Sequence, residues 1–503
     1  MDKTELRKWL PLDEPEITNK DQAIAEVVRI RTGIKHARVQ MLKKDNREID
    51  KWARQARGKK ISKLKDLCEH LARPYCRDGF KDDYKIARVF FVWVCDNVVY
   101  DFENAMIKKS KRLIGEQTAE LVFKKRKAVC AGYCSLFKEM CTTMGVECRN
   151  ICGTEKAFSY VPNTTFNRME KGSGHMWNAI KIYGLWYLAD VTWAAGQASK
   201  TSNTWRKNFE NFWWCTSKPR FEYTHFAKED KEDSYADPCP VELRPTMDGA
   251  AFAQQAYPTA DFFTNGLEFL SHKKCRCSTT TSGKPLELRF SGPKNVRIIG
   301  KATLLGKKRV TTGDVFVQRD PGEVDGRVEI VVYVKFPVKG EYLVKLFVLV
   351  PSDPLDHKKM EETEYQLCSE YLADVIQDRG GARAGRDGFP KLYKSFMEND
   401  VQINDPSHRL LSSYLQYSPS KPDLNMVHFS IVVRDGAALD NLSFVINSSV
   451  IGDKLVFDEN TRTFSGDLVL KSNMETVKLC FENKDGMHES VAMWKVRQQK
   501  RSK

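Results

Sequence analysis

The sequence predicts an α+β protein, in which a mixed helical and stranded region precedes a β-rich region. Two observations indicate this class. Apolar residues recur at helical spacing in segments such as 84–94, and a predicted strand hairpin follows at 175–193. From about residue 262, short apolar or alternating segments lie between turns, which is typical of sandwich-like β domains. At 503 residues the chain is too long for one ordinary core, so we expect several domains.

Changes in composition along the chain predict the domain boundaries. The predicted segments are a basic helical N-terminal region (1–58), a mixed α and β domain with the functional residues (59–230), a linker (231–261), a sandwich-like domain (262–352), a charged, partly helical connection with a Gly/Arg-rich break at 380–388 (353–409) and a second sandwich-like domain (410–503).

The chain carries a formal net charge of +15, which favours an acidic partner over a basic one. No motif for specific nucleic-acid binding accompanies this charge, and an ordinary solvated surface is the alternative. The amphipathic pattern that begins at 23–30 predicts a helix that packs on its own domain or binds an acidic partner. The N-terminus lacks the apolar core of a signal peptide, and no apolar run is long enough to span a membrane, so we expect a cytoplasmic protein.

The 14 cysteines are therefore expected to be reduced thiols. Their spacing is irregular. It contains no paired CxxC units and no histidine at the sequence spacing typical of metal ligands. We accordingly expect neither a structural metal nor a cofactor.

Cys130 is the first candidate functional residue. It precedes Gly132 and a run of apolar residues at helical spacing, which places it at or near a helix N-terminus. There the unpaired N–H groups and the helix dipole favour a thiolate and can stabilise an oxyanion.

His175 and Asp190 are the second and third candidates. Each lies on one arm of the predicted hairpin, whose turn falls at Tyr183 and Gly184. An antiparallel pairing with a modest offset brings the imidazole and the carboxylate side by side. Asp190 would then orient His175, and His175 would deprotonate Cys130 and later protonate a leaving group. Taken singly, each residue also has an ordinary structural explanation, so the prediction depends on their combination.

Three motifs carry a resemblance to a known superfamily. Segments 129–133 (VCAGY), 175–178 (HMWN) and 190–193 (DVTW) resemble the motifs of the transglutaminase-like superfamily, and within it the chain looks most like the kyphoscoliosis peptidase family. The helix and exit at 85–101 (KIARVFFVWVCDNVVYD) agree with that resemblance. Segment 208–216 looks like the closing strand of the core, and 222–226 resembles a short family motif in which His225 is a second candidate base, although a structural role is favoured.

The resemblance implies a transglutaminase-like, papain-type core followed by β-sandwich-like domains, and a cysteine peptidase acting on cytoskeletal or actin-crosslinking proteins. The residues alone imply only acyl transfer through a thioester. Two alternatives stay open: a cross-linking acyltransferase, which needs the same three residues, and a cytoskeletal scaffold with a weakly active or inactive core. A deglycosylating amidase is disfavoured because such enzymes usually carry zinc, for which the cysteine spacing offers no site.

Overall fold

The computed structural model describes most of the chain. The described residues are 33–35, 37–43, 45–56, 61–77, 79–106, 116–157, 160–172, 174–199, 204–228, 235–280, 284–307, 311–319, 324–349, 365–376, 388–393, 396, 401–405, 410–412, 414–420, 422–433, 442–447, 449–482 and 487–498. The amphipathic pattern predicted to begin at 23–30 lies outside these ranges, as do 353–364 of the predicted connection and 380–387 of its Gly/Arg-rich break.

The chain divides into two compact units, 1–253 and 254–503. Helices in the first unit and at its boundary span Arg47–Gln55, Leu64–Ala72, Asp83–Asn97, Phe102–Met106, Ala119–Lys125, Cys130–Thr143, Phe166–Gly172, Val191–Ala195, Lys218–Phe221 and Gly249–Gln254. Three of them position the candidate functional residues: α1 is Asp83–Asn97, α2 is Cys130–Thr143 and α3 is Val191–Ala195.

Helix α1 is the central core element of the first unit. Its aromatic residues, including Phe90, Phe91 and Trp93, are buried all round the helix, as is expected of a helix covered on every face. The buried guanidinium of Arg88 donates two hydrogen bonds to the Asp50 carboxylate, both of 2.8 Å. This pairing satisfies a charge that would otherwise be costly to bury and ties α1 to the helix Arg47–Gln55.

The main sheet of the first unit has four antiparallel strands. They are β1 (Cys148–Glu155), β2 (Gly174–Ile182), β3 (Leu185–Ala189) and β4 (His225–Ala227), in the order β4-β1-β2-β3. Smaller two-stranded pairs are Cys76–Arg77 with Phe80–Lys81, Val99–Tyr100 with Lys127–Ala128, and Gly196–Ser199 with Thr204–Lys207.

The predicted hairpin forms with the predicted turn. Ile182 pairs with Leu185, and the two residues between them both have positive φ, 52° for Tyr183 and 81° for Gly184. Two positive φ values in a two-residue loop match the twist of the flanking strands.

The predicted closing strand at 208–216 is wrong. A 3-10 helix occupies Asn211–Trp213, and only Thr216 makes an isolated bridge, to Leu188. The aromatic residues of this segment turn into the core, where Phe212, Trp213 and Trp214 are buried. The strand that closes the sheet is instead β4, whose Phe226 pairs with Thr154.

The first β domain of the second unit has two sheets that share a strand. In order of pairing its strands are Tyr257–Pro258, Tyr365–Ile376, Gly340–Leu349, Ile298–Leu304, Thr312–Arg319, Arg327–Lys335, Leu286–Pro293 and Glu268–Phe269, and Arg276–Thr280 pairs in parallel with Tyr365–Ile376. Thr312–Arg319 passes between sheets, because Gly313 pairs with Ala302 and Asp314 pairs with Lys335. Residues of both sheets share one buried apolar cluster, as in a sandwich.

The second β domain also has two sheets. One contains Lys391–Leu392, His488–Gln498, Thr476–Glu482, Leu442–Ile446 and Ser449–Lys454, with Tyr414–Tyr417 parallel to His488–Gln498, and the other contains Gln402–Ile403, Met426–Val432, Thr463–Val469 and Val456–Asp458. The ring of Phe429, from the second sheet, lies 4.8 Å from Phe444 and 5.4 Å from Trp494, both from the first. The two sheets therefore pack face to face.

Two predicted segment types differ from the structure. In the predicted connection 353–409, Tyr365–Ile376 is a 12-residue strand that pairs with Gly340–Leu349, so the first β domain extends beyond the predicted boundary at 352. In the predicted linker 231–261, the described residues pack within a unit. The Asp237 N–H donates to the Asn150 carbonyl at 2.7 Å, and Tyr257–Pro258 joins the first β domain.

Within the described ranges, no helix has the length and apolar character needed to cross a membrane.

Candidate active site

Cys130 is the first residue of helix α2. The preceding residue, Val129, is extended, and its N–H donates to the Gln117 side-chain oxygen at 3.1 Å. This bond holds the segment before the helix in place. In the first turn the Gly132 N–H donates to the Val129 carbonyl at 3.0 Å. The N–H groups of the two residues before it have no acceptor within a helix, so they and the positive end of the helix dipole lie at the Cys130 end of α2.

Gly132 allows the chain before the helix to lie close against it. A Cβ atom at this position would come within 2.4 Å of Gln117 Oε1, 2.7 Å of Ala128 Cβ and 2.8 Å of Val122 Cγ2. Such approaches are shorter than contacts between real Cβ atoms, so the start of α2 requires glycine here.

Cys130 is partly exposed, whereas the neighbouring thiols of the same helix are not. Cys134 and Cys141 are fully buried, and burial raises the pKa of both thiols well above the ordinary value. Cys152, on β1, is also partly exposed and packs with Cys130 against the same small cluster. All 14 cysteines are free thiols.

The structure brings His175 and Asp190 together across the hairpin. His175 lies on β2 opposite Gly153 of β1, and its ring is buried. Asp190 follows β3 and caps helix α3, where its Oδ1 accepts the Trp193 N–H at 2.8 Å. The other carboxylate oxygen, Oδ2, lies 2.6 Å from His175 Nε2. The cap therefore fixes the carboxylate that orients the imidazole.

The opposite side of the His175 ring faces Cys130. Cys130 is among the groups that raise the pKa of His175, so its thiol lies next to the imidazole, and because Nε2 is bonded to Asp190, Nδ1 is the ring nitrogen left for the thiol. Burial alone would lower the pKa of His175, but the charges of Glu155 and Asp190, the hydrogen bond to Asp190 and the neighbouring thiol raise it well above its ordinary value. Burial likewise would raise the pKa of Asp190, yet His175 and His225 hold it below its usual range.

His225, the second candidate base of the sequence analysis, contacts Asp190 and not the thiol. Its Nε2 lies 3.1 Å from Asp190 Oδ2, and its Nδ1 lies 2.9 Å from the Thr224 hydroxyl. Burial lowers the pKa of His225 to about 4, so the ring is neutral, with Nε2 donating to Asp190 and Nδ1 accepting from Thr224. This arrangement matches the structural role favoured from the sequence.

Aromatic rings enclose the two histidines. Phe221 stacks on His225 with ring centres 4.0 Å apart, and Trp193 lies 4.5 Å from His225 and 5.5 Å from His175. These rings keep water from the His–Asp–His network, which strengthens its electrostatic interactions.

Among the described residues, His175, Asp190 and His225 are close enough together to be tested as a metal site. Their ligand atoms lie within 4.8 Å of one another. Asp190 Oδ2 already accepts from both rings, so a cation would have to replace both hydrogen bonds. The buried network is therefore explained as a hydrogen-bonded unit.

Glu155 is a site residue that sequence reasoning missed. It ends β1, pairs with His225 of β4, and places its Oε2 3.4 Å from His175 Nδ1. The sequence signal was only a carboxylate at the end of the strand that precedes His175 in the chain. Its position beside the imidazole follows from the sheet register, which the sequence does not specify.

Two models of known protein families match parts of this chain. Residues 70–191 match the model of the transglutaminase-like superfamily, and 250–377 match the model described as a KY-like, immunoglobulin-like domain. The chain therefore carries a transglutaminase-like domain followed by a KY-like, immunoglobulin-like domain. The predicted α+β class, with this core and a β-rich C-terminal region, is confirmed.

Among individual proteins, the chain is similar to proteins named kyphoscoliosis peptidase, which confirms the resemblance predicted from the motifs. The mouse protein (Mus musculus) is 27% identical over 202 residues, or 40% of this chain and 28% of its own length, and the human protein (Homo sapiens) is 26% identical over the same shares. Hillarin from Drosophila melanogaster is 20% identical over 353 residues, which cover 65% of this chain and 41% of Hillarin. The similarity to kyphoscoliosis peptidase thus spans 28% of the length of that protein.

Proposed function

We propose that the protein is a thiol-dependent acyl hydrolase of the cysteine peptidase type, in which Cys130 is the nucleophile, His175 the base and then the acid, and Asp190 the orienting group. One observation carries the proposal. The buried His175 ring is bonded to Asp190 through Nε2, the Cys130 thiol lies beside the ring, and the thiol stands at a helix N-terminus.

The acylation step follows from this geometry. The Cys130 S–H proton passes to His175 Nδ1 and gives a thiolate–imidazolium pair. The thiolate sulfur then attacks a carbonyl carbon, and the resulting oxyanion lies near the N–H groups at the start of α2. The carbon–nitrogen bond then breaks, and the Nδ1 proton passes to the leaving amine. Asp190 stays ionised throughout and stabilises the imidazolium.

The second half of the reaction releases the acyl group from Cys130. With water, His175 Nδ1 takes a proton from the attacking oxygen, the carbon–sulfur bond breaks and a carboxylic acid leaves. With a lysine amine, the same steps form an amide and give a cross-linking acyltransferase. Water is the acceptor in our proposal because the similar mouse and human proteins are named peptidases.

The proposed substrates are proteins, and cytoskeletal or actin-crosslinking proteins are the first to test. Their choice rests on the motif resemblance described above, and the net charge of +15 suits acidic protein surfaces. A cytoplasmic, cytoskeleton-associated site of action belongs to the same proposal.

A second candidate, a scaffold with little turnover, is favoured by one contact. Tyr235 and Ala236 pack on the small cluster that also includes Cys130, Cys134 and Met176. The Tyr235 hydroxyl accepts the Gln117 N–H at 3.0 Å, and the Tyr235 carbonyl accepts from the Asn150 side chain at 3.0 Å. A segment held this way beside the nucleophile restricts access to it, which would suit a protein-binding role.

The test of the proposed function is the reactivity of each thiol in the full chain. A thiol reagent at limiting dose, applied from pH 5 to 9, is mapped by mass spectrometry in wild type, His175→Ala and the control His428→Ala, whose exposed ring lies in the second unit. We expect Cys130 to react first, and below the pH of an ordinary thiol. The partly exposed Cys152 is an internal comparator. The advantage of Cys130 should vanish in His175→Ala and persist in His428→Ala.

Equal rates for Cys130 and Cys152 at every pH would contradict the hydrolase proposal and favour the scaffold. If Cys130 is activated, digestion of candidate filament proteins in ¹⁸O-labelled water with added biotinylated pentylamine separates the two acceptors. New peptide termini that carry ¹⁸O indicate hydrolysis, and biotinylated glutamine residues indicate acyl transfer to amines.

A further inference from the structure

Glu155 places a second carboxylate against the catalytic imidazole. Asp190 Oδ2 lies 2.6 Å from His175 Nε2, and Glu155 Oε2 lies 3.4 Å from His175 Nδ1, the nitrogen that Asp190 does not occupy. The proposed cycle uses only the first of these carboxylates. Glu155 is therefore a charged group inside the site whose presence the cycle does not explain.

Glu155 is largely buried, which is unfavourable for a carboxylate, so its position beside His175 calls for an explanation. Its side chain is 11% exposed, and among the described residues its Oε2 has no hydrogen-bond partner. The Trp193 side chain donates a hydrogen bond to the carboxylate. A buried carboxylate that lacks full hydrogen bonding is destabilising, and burial raises the pKa of Glu155 for this reason. Glutamine would fill the same space without a charge.

We propose that Glu155 is a positioning residue for His175: its charge lies beside Nδ1 and, together with Asp190, holds the ring as an imidazolium. The inference rests on the proposed function, because an imidazolium matters for catalysis only if Cys130 is the nucleophile. The groups that face the ring from the surrounding elements are Cys130 from α2, Glu155 from β1, Asp190 before α3 and His225 from β4. Two of the four are carboxylates.

The proton balance shows when Glu155 is needed. After Cys130 gives its proton to Nδ1, the thiolate and the Glu155 carboxylate both attract the positive charge at that nitrogen. Once the sulfur has become a neutral thioester or a tetrahedral adduct, it no longer attracts the ring, and Glu155 is the remaining anion at Nδ1 among the described residues. It holds the ring until the proton passes to the leaving amine. Glu155 itself neither gains nor loses a proton.

The direction of the electrostatic effect agrees with this role. Burial lowers the pKa of His175, and the charge of Glu155 is the largest of the influences that raise it again, followed by that of Asp190. An opposite charge within about 4–6 Å shifts a pKa by roughly 1–3 units. Removal of the Glu155 charge should therefore make His175 easier to deprotonate without a change in fold.

The test is a pH titration of the full chain by NMR, with ¹³C at Cε1 of histidine. The chain has 9 histidines, and the His175 signal is assigned from its absence in His175→Gln. Wild type is compared with Glu155→Gln and with Glu222→Gln, a matched control whose buried carboxylate bonds Thr246. We expect wild-type His175 to titrate above about 6.5, its ordinary value. Glu155→Gln should lower the midpoint by at least about one unit, and Glu222→Gln should leave it in place.

Two outcomes would overturn the inference: a wild-type midpoint at or below the ordinary value, or a midpoint in Glu155→Gln equal to that of wild type. The first needs no variant, so the test stands even if Glu155→Gln does not fold. The titrations are repeated with Cys130→Ala throughout, where the effect of Glu155 should persist. Failure of the proposed function would appear separately, as an unreactive Cys130 in the alkylation experiment.

Discussion

At the scale of single residues, the site depends on which of its two histidines is positively charged. His175 and His225 both contact Asp190 Oδ2, but only His175 lies beside a second carboxylate and a thiol. The ring of His225 is instead enclosed by aromatic side chains and bonded to a hydroxyl. One carboxylate therefore faces an imidazolium on one side and a neutral imidazole on the other.

The neutral state of His225 predicts a specific pH dependence of stability. Its folded pKa is about 4, below the unfolded value of about 6.5, so between these pH values the unfolded chain binds a proton that the folded chain does not. The free energy of unfolding should therefore fall as pH falls through this window, by up to about 3 kcal/mol, since one unit corresponds to about 1.4 kcal/mol.

Urea unfolding of wild type and His225→Phe at pH 4.5 to 7.5 measures this effect. Because His225→Phe lacks the group, the stability of wild type relative to the variant should rise with pH across the window. Parallel curves for the two proteins would contradict a buried neutral imidazole.

Asp190→Asn should reduce the reactivity of the site while leaving the fold intact. The amide can still cap helix α3, but it cannot stabilise an imidazolium or specify the ring tautomer at His175. In a serine triad the equivalent change costs about 10⁴-fold in turnover, and we expect a loss of up to that size here. The rate of Cys130 acylation by an activated ester, measured at pH 7, checks this prediction. Thr246→Val, a substitution at a residue that bonds Glu222, is a suitable control.

At the scale of elements, the start of α2 has no room for a side chain at Gly132. The segment between Gln117 and Ala128 lies against the first turn where a side chain at Gly132 would be. This close packing fixes the first turn of α2, which carries Cys130, against the preceding segment, so we expect a change at Gly132 to affect stability and the reactivity of Cys130 together.

Gly132→Ala should destabilise the first unit by about 1–3 kcal/mol, the usual effect of overpacking a core. Gly174→Ala is the matched control, because a Cβ atom there would meet nothing within 4 Å. Chemical unfolding followed by tryptophan fluorescence compares both variants with wild type. An unchanged midpoint for Gly132→Ala would mean that the helix start can shift to accept a side chain.

The sequence correctly predicted those elements whose formation depends on residues close together in the chain. The start of α2 at Cys130, the hairpin of His175 and its turn at Tyr183 and Gly184 follow from periodicity and turn chemistry within short segments. The position of Glu155 was missed because it depends on how β1 pairs with β2 and β4, which are separate in sequence.

The strand Tyr365–Ile376 was mistaken for part of a helical connection because charged residues interrupt its apolar pattern. Glu370 is buried within the sheet and lies 3.0 Å from Lys345 of the neighbouring strand. The ion pair compensates the buried charge, but the partner is 25 positions away (370 − 345). A short stretch of sequence therefore contains the Glu370 carboxylate but not Lys345, the partner that makes its burial possible.

At the scale of the whole molecule, the chain divides into two compact units, and the second unit has its own apolar clusters. Trp494 is fully buried in one of these clusters, and its indole N–H donates to the Leu410 carbonyl at 2.8 Å. All the proposed site residues lie in the first unit.

Trp494→Ala should therefore affect one unit and not the other. Loss of a buried tryptophan costs about 3–5 kcal/mol, and we expect this loss in one of two thermal transitions of the full chain. The alkylation rate of Cys130 at 25 °C should not change. Calorimetry and thiol mapping on the same sample test both statements, and a fall in Cys130 reactivity would contradict the separation.

The hydrogen bond from His225 to Asp190 shows that the candidate site extends further along the chain than the family match does. The match ends at residue 191, whereas the donor that completes the carboxylate stands at residue 225. A splice junction or a domain exchange between these positions would keep all three motifs and still leave Asp190 without one of its buried partners. A gene segment that encodes the complete hydrogen-bonded site would therefore have to extend beyond β4. Relatives that share the three motifs need not have the same hydrogen bonds to Asp190.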